Sequence, residues 1–264
     1  MAVSRACLRY IRYIMKKKTI LKLIAAIAAF TMIFFLFSIY NAFMGNPLSA
    51  KIANYKIKVY VNKTYPDLDL TVSDTKYNFK DTAYFSRVQS KTSLDTQFTV
   101  NCSKGKVSDD YEYEVANHFT TYRRLTDIFN KEVEAILSTE FPYETSIVIA
   151  DYGKNEFDLS KLKLDMPFDI TKPPVPASLT VYCISDEITY EFLNSRLLEL
   201  KAIMDNHNIP ISEYSLVLEA SENKGKPADN RLYLYEFPVE KIDGNDLIDK
   251  MKQHQKAREQ ENEK

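Results

Sequence analysis

Glycine is scarce. The 264-residue chain carries five, Gly45, Gly105, Gly153, Gly225 and Gly244, and they do not cluster. A phosphate loop, a dinucleotide fingerprint and a nucleophile elbow each need grouped glycines, because backbone must approach the ligand closely or turn sharply. Nucleotide binding by those devices is excluded. Histidine is scarcer: His118, His207 and His254. None has a histidine partner three or four residues on, so the helical zinc pattern is missing. Each reads as a helix-terminal or surface residue. The three cysteines, Cys7, Cys102 and Cys183, have no metal-site spacing. Cys102 continues the alternation of Phe98 and Val100, and Cys183 that of Leu179 and Val181. Both read as small apolar residues on inward strand faces. A Cys102–Cys183 disulfide outside the cytoplasm stays open. The residues nominate no catalytic, cofactor-binding or metal-ligating set.

Acid is missing from the first 64 residues, which hold eleven basic residues. The first carboxylate is Asp67, and the rest of the chain, with 24 basic and 36 acidic residues, has a net charge of −12. That balance argues against binding nucleic acid through its phosphates. It keeps the later domains soluble.

What is present is a long apolar run. From Leu23 to Phe37 only Thr31 is polar, and its hydroxyl can bond back to its own helix. The 24 residues from Ile20 to Phe43 make a helix of about 36 Å, enough to cross a hydrocarbon core of roughly 30 Å with some tilt. Lys22 lies within a turn of the end and can snorkel. Asn46-Pro47 ends the helix, since proline lacks the N–H to continue it. A cleaved signal peptide would need small residues at A-x-A spacing after the run. Tyr40-Asn41-Ala42 and Pro47-Leu48-Ser49-Ala50 fit poorly, and no cysteine follows for lipid attachment. An uncleaved anchor is expected, with the lipid bilayer as partner through residues 20–43. Seven basic residues precede the run and four follow closely, at 51, 56, 58 and 63. That bias predicts a cytoplasmic N-terminus and an outside C-terminal region. Met15, followed by three lysines, reads as the natural start, with residues 1–14 an upstream extension.

The expected fold class is α+β: one N-terminal transmembrane helix, then two small α+β domains with antiparallel sheets. A basic segment over 1–19 leads into the transmembrane helix over 20–44. The first domain covers 48–141. Leu48, Ile52, Tyr55 and Val59 give helical spacing, although Tyr55, Ile57, Val59 and Val61 also alternate. Helix is preferred, ending before Pro66. Strands are expected from Leu70 toward Phe79, from Ala83 to Val88, and from Gln97 to Cys102. A helix from about Asn117 to Thr139 carries the stripe Tyr122, Leu125, Phe129, Val133 and Ile136. The second domain covers 142–240. Ile147 and Ile149 mark a strand. Lys172 to Pro176 is a stiff connector, and Leu179 to Ile184 is a further strand. A helix over about Asp186 to Asn206, capped by Asp186, follows. Ser215 to Ala220 and Arg231 to Phe237 form a strand pair around the polar loop Ser221 to Asn230. The charged tail, 241–264, is expected to be a frayed helix or disordered.

Three segments carry a family pattern: Asn41-Ala42-Phe43-Met44-Gly45-Asn46-Pro47, Tyr65-Pro66-Asp67-Leu68-Asp69-Leu70 and Tyr77-Asn78-Phe79-Lys80-Asp81. With Tyr84, Val88, Ser90, Ser93, Asp95, Phe98 and Val100, they resemble the YfjL-like proteins of Bacillus and related Gram-positive bacteria. Met44 and Thr82 depart from the pattern. The resemblance implies a membrane-anchored protein with an N-terminal and a C-terminal soluble domain. It implies no activity.

Acid pairs occur at Asp67/Asp69, Asp109/Asp110 and Asp186/Glu187, and a glycosidase or a calcium site would use such groups. Turns favour the same residues, and Asp243-Gly244-Asn245-Asp246 lacks the rest of a calcium loop. The 18 tyrosines, beside 15 phenylalanines and no tryptophan, are the one excess. Tyr111 with Tyr113, and Tyr233 with Tyr235, could line a groove on a sheet face. β-rich domains also use tyrosine freely. Three functions follow. The first is a non-catalytic, membrane-tethered module that meets an envelope protein or a cell-wall component. The second is a membrane-tethered enzyme with an unrecognised carboxylate-based hydrolase site. The third is a sensor, which ranks last because about 20 inner residues are too few for a signalling domain.

Overall fold

The structure is a computed structural model describing residues 5–153, 159–221, 231–243 and 246–262. Most of the expected loop Ser221 to Asn230, with Gly225, lies outside these residues, as do Gly244 and Asn245 of the calcium-loop lookalike. Two compact units form: Met1–Lys91 with Phe98–Asp110, and Thr92–Gln97 with Tyr111–Lys264.

The first unit opens with α1 (Arg5–Met44). From Thr19 onward this helix is long and apolar enough to cross a membrane. Its apolar side chains are exposed, Phe30 at 75%. Thr31 Oγ1 donates to Ile27 O and Ser38 Oγ to Phe34 O, each at 2.9 Å. The two aliphatic hydroxyls in the run are thus satisfied within the helix. The next segment, ambiguous by periodicity, is helical: α2 (Pro47–Thr64). Asn46 decides it, capping the first turn ahead of a proline whose fixed φ suits a helix start. Ala53, Ile57 and Val61, four residues apart, are buried, and α2 packs on β3 (Ala83–Ser90) and β5 (Lys106–Asp109). The apolar stripe Leu48, Ile52, Tyr55 and Val59 points the other way and stays exposed.

Where the pattern predicts one strand from Leu70 to Phe79, two short strands form: β1 (Leu70–Val72) and β2 (Lys76–Asn78). Both pair antiparallel with β3, β1 against Val88–Ser90 and β2 against Ala83–Phe85. Ser73 makes the break. Its hydroxyl accepts the Arg87 N–H at 2.9 Å, and its own N–H donates to Arg87 O at 2.9 Å. In β4 (Gln97–Ser103) the alternation holds, with Phe98, Val100 and Cys102 buried. β5 was not expected. It returns antiparallel to β4 through Lys104-Gly105, both at positive φ, 49° and 81°, as a two-residue hairpin requires. The sheet order is β1-β3-β4-β5, with β2 also on β3.

The second unit begins with Thr92–Gln97 and resumes at a π-helical turn, Glu112–Ala116, before α3 (Phe119–Glu140). That helix, which periodicity attaches to the first domain, buries Leu125, Phe129, Val133 and Leu137 in the core of the second unit. The sheet here runs β6 (Thr145–Tyr152), β7 (Ala177–Ile184), β8 (Glu213–Glu219), β9 (Arg231–Pro238). The β6–β7 and β8–β9 ladders are antiparallel, and the central β7–β8 ladder is parallel. A parallel pair needs a crossover, and α4 (Tyr190–Asn206) supplies it. The fold class is α+β, with this one parallel ladder inside otherwise antiparallel pairing. Thr189, not Asp186, caps α4: its hydroxyl accepts the Phe192 N–H at 3.3 Å. Asp186 instead accepts the Ser221 hydroxyl. On β6 the inward residues are Ala150 and Tyr152, while Ile147 and Ile149 face out.

The charged tail does not fray. Leu247–Asn262 forms α5, with Leu247 and Met251 in the core. His254 Nε2 lies 2.9 Å from Tyr235 O, and Arg258 pairs with Glu236. A narrow buried stripe with flanking polar contacts suffices to dock a helix that is otherwise charged.

Cys102 and Cys183 are both free and buried. Burial pushes the Cys183 thiol up to about 12, far above the range where thiolate forms. A maleimide at neutral pH should leave Cys183 unmodified in the folded chain and modify it on denaturation, as peptide mass mapping would read. Labelling at the same rate in both states would contradict the burial.

Candidate functional site

Two features stand out, one in each unit. In the first, α1 hands over to α2 at a built junction. Gly45 takes a left-handed φ of 72°, and its N–H donates to Asn41 O at 3.0 Å. Asn46 is extended, and its side-chain oxygen accepts the Leu48 N–H at 2.8 Å and the Ser49 N–H at 3.4 Å. Tyr84 grips the same residue twice: its phenol oxygen accepts the Asn46 N–H at 2.7 Å and its O–H donates to Asn46 O at 3.1 Å. The Tyr77 ring lies against Gly45, where an added Cβ would sit 2.6 Å from Cγ. Its hydroxyl donates to Ala42 O at 3.3 Å. Tyr77 packs on Tyr84 at 5.0 Å between centroids, and Phe43 on Phe79 at 5.8 Å. The helix end is therefore held by β2, β3 and the turn between them. The junction offers structure rather than a reactive group.

In the second unit, α3, α4 and α5 pack on one face of the sheet; on the other a cross-strand row runs over all four strands, exposed on the edge strands β6 and β9 and buried at Val217 on β8. Ile147 pairs with Tyr182, Tyr182 with Val217, and Val217 with Tyr233. Tyr233 stacks on Tyr235 at 5.2 Å. Burial, then the neighbouring Tyr182, raises the Tyr235 phenol above its ordinary value. Ile147 and Ile149 are 43% and 48% exposed and Tyr233 38%. At one end Arg231 pairs with buried Glu219, which also accepts the Ser146 hydroxyl at 3.3 Å. This is a largely apolar, aromatic face with one polar end.

The candidate acids do not converge. Asp69 pairs with Lys91 at 2.7 Å. Asp109 accepts two phenols, Tyr60 at 2.6 Å and Tyr65 at 3.0 Å, whereas Asp110 caps the Thr99 N–H. His118 precedes α3 in a left-handed conformation, and His207 ends α4 with Nε2 2.7 Å from Glu140. Among the described residues no group of three or more histidines, cysteines and acids is arranged to hold a metal. An open depression of about 320 Å³ beside α5 is lined by Asp243, Asp246 and Asp249. Lys250 Nζ lies 3.1 Å from both Asp243 and Asp246, which ties those carboxylates into an ion cluster.

One buried acid escapes sequence reasoning. Asp95 is 1% exposed and takes a fork from Arg124, Nε at 2.6 Å and Nη2 at 2.8 Å. The Thr121 hydroxyl and the Asp165 N–H add bonds at 2.8 Å each. Asp165 in turn accepts the N–H groups of Leu94 and Asp95 at 2.7 and 3.0 Å. Burial pushes the Asp95 carboxyl up, but these hydrogen bonds outweigh it and hold it below the usual carboxylate value. Both oxygens accept hydrogen bonds, Oδ1 one and Oδ2 three, so Asp95 locks segment 92–97 onto α3. The signal was a half-buried Arg beside the Leu125 stripe, which spacing alone cannot pair.

Residues 20–111 match the YfjL-like N-terminal domain, and residues 129–252 match the YfjL-like C-terminal domain. The chain belongs to the YfjL-like family. It matches no curated protein and no solved structure. The YfjL-like domains are of unknown function and bring no site residues. Their residues can still be followed in this fold. The pattern segments 41–47 and 77–81, with Tyr84, are the junction. Of the other pattern residues, Tyr65 sits on Asp109 and packs against Phe98, and Asp95 is the buried lock. The YfjL-like pattern thus marks structure in this chain.

Proposed function

We propose that this YfjL-like protein is a membrane-tethered, non-catalytic interaction module. In this reading α1 crosses the bilayer with its N-terminus inside, and both domains stand outside, in a Gram-positive envelope as the family resemblance implies. The seven basic residues before the apolar run, against four after it, support that orientation. The single observation behind the binding role is the exposure of Ile147, Ile149 and Tyr233 on the edge strands of one sheet face. Apolar side chains grouped on a rigid sheet, with aromatics among them, are what a protein or wall partner would cover.

A photo-crosslinking residue at Tyr233 in living cells should capture one discrete partner, read by mass spectrometry. The same residue at exposed Asp67 should not. Ile149→Ser combined with Tyr233→Ala should cut that capture by about ten-fold, with thermal unfolding of the variant checking that the sheet stays folded. Equal, diffuse capture at both positions would remove the binding role.

A further inference from the structure

The stripe on α2 has no cover within its unit. At about 100° per residue, Leu48, Ile52, Tyr55 and Val59 fall within an arc of about 60°. That arc lies opposite the buried face of Ala53, Ile57 and Val61. The four are 67%, 51%, 71% and 48% exposed. Lysines border it on both sides, Lys51 and Lys58 along one edge and Lys56 and Lys63 along the other, and α2 has no acid. Lys56 also donates to Gly105 O at 3.1 Å. The helix is therefore two-faced: one side is sheet-packed, the other apolar between two rows of ammonium groups.

We infer that α2 is an interfacial helix whose outer stripe lies in the surface of an anionic phospholipid bilayer. The inference rests on α1 being the membrane anchor. Charge supports it, because flanking lysines suit phosphate headgroups while the stripe enters the acyl boundary. Continuity supports it as well. Only Gly45 and Asn46 separate the helices, and the Tyr77–Tyr84 clamp holds that junction to the sheet. Left-handed Gly45 followed by extended Asn46 breaks the helix, so α2 does not prolong α1. An 18-residue helix is about 27 Å long, enough to seat the N-terminal domain on the bilayer.

The test uses the full chain, Cys7→Ser, in vesicles of phosphatidylcholine with phosphatidylglycerol at three to one. A nitroxide is placed in turn at Phe30, Ile52, Tyr55 and Asp67, and its collisions with lipid-soluble oxygen and a water-soluble nickel chelate are measured. At Ile52 and Tyr55 the oxygen-to-nickel ratio should exceed that at Asp67 by about three-fold and fall short of that at Phe30. Lys51→Gln, Lys58→Gln and Lys63→Gln together should raise nickel access at Ile52 by about two-fold. A lipid-buried Phe30 label with water-exposed labels at Ile52 and Tyr55 overturns the interfacial helix and leaves the anchor standing. A water-exposed Phe30 label overturns the anchor, and the inference with it. Labels at Ile52 and Tyr55 hidden from both reagents mean that protein, such as a second copy of the chain, covers the stripe, which also overturns it. Unchanged nickel access in the triple variant overturns the headgroup contacts.

Discussion

Arg124→Ala is expected to destabilise the second unit by about 3 kcal/mol, the scale of breaking a buried ion pair from one side. Asp95 keeps its buried position in this variant but loses both guanidinium bonds. The Met166 carbonyl also loses its 2.9 Å donor. The effect carries a pH signature. In the native chain the Asp95 carboxyl lies below the ordinary aspartate value of 3.8. Its stabilisation is therefore present above pH 3.8 and lost as pH falls through the lower folded value. Without Arg124 two of the lowering influences are lost, while burial and the bonds from Thr121 and the Asp165 N–H remain, so the carboxyl moves up from its native value and less stability is lost on acidification. The gap between native and variant should be wide at pH 7 and narrow in acid. Urea unfolding at several pH values reads it directly. A pH-independent gap would mean that lost packing, not the charge, sets the deficit. Asp95→Asn with Arg124→Met, which removes both charges, should recover much of the loss.

Gly45→Val should disrupt the junction by about 3 kcal/mol or more. Two causes add. A β-branched residue at a φ of 72° is strained by roughly 1–2 kcal/mol. Its Cβ would also meet the Tyr77 ring at 2.6 Å, and overpacking of that kind costs about 1–3 kcal/mol. Tyr77 cannot retreat freely, since it packs on Tyr84 and donates to Ala42 O. Limited proteolysis of the full chain in detergent should open the segment between Asn46 and Tyr84 in the variant and leave the second unit intact. Gly45→Val combined with Tyr77→Ala should recover the steric part alone. An unchanged digestion pattern would mean that the clamp carries no strain.

The sequence made local structure legible and long-range pairing much less so. The apolar run, its stop at Asn46-Pro47 and the inward row of Phe98, Val100 and Cys102 could be read from period and breakers, because each is decided by near neighbours. The parallel β7–β8 ladder was hidden, since no local signal gives strand order. The direction of two stripes also misled. Leu48, Ile52, Tyr55 and Val59 have core periodicity yet face out, because smaller Ala53 with Ile57 and Val61 meets the sheet. Ile147 and Ile149 are the most apolar residues of β6, yet Ala150 and Tyr152 point inward. The docking of α5 was missed because two core side chains, Leu247 and Met251, are few against so much charge. At the sites, the resemblance segments were visible as text, but nothing in their spacing said that residues 41–47 and 77–84 would meet. The Asp95–Arg124 fork spans 29 positions, beyond the reach of any periodic pattern.

The central claim is that α1 anchors two outward-facing YfjL-like domains. Protease shaving of protoplasts tests it most directly, with one epitope tag before α1 and another after α5. The account predicts that external protease removes the C-terminal tag and spares the N-terminal one, and that both are cut once detergent opens the membrane. Survival of the C-terminal tag in sealed protoplasts would contradict it.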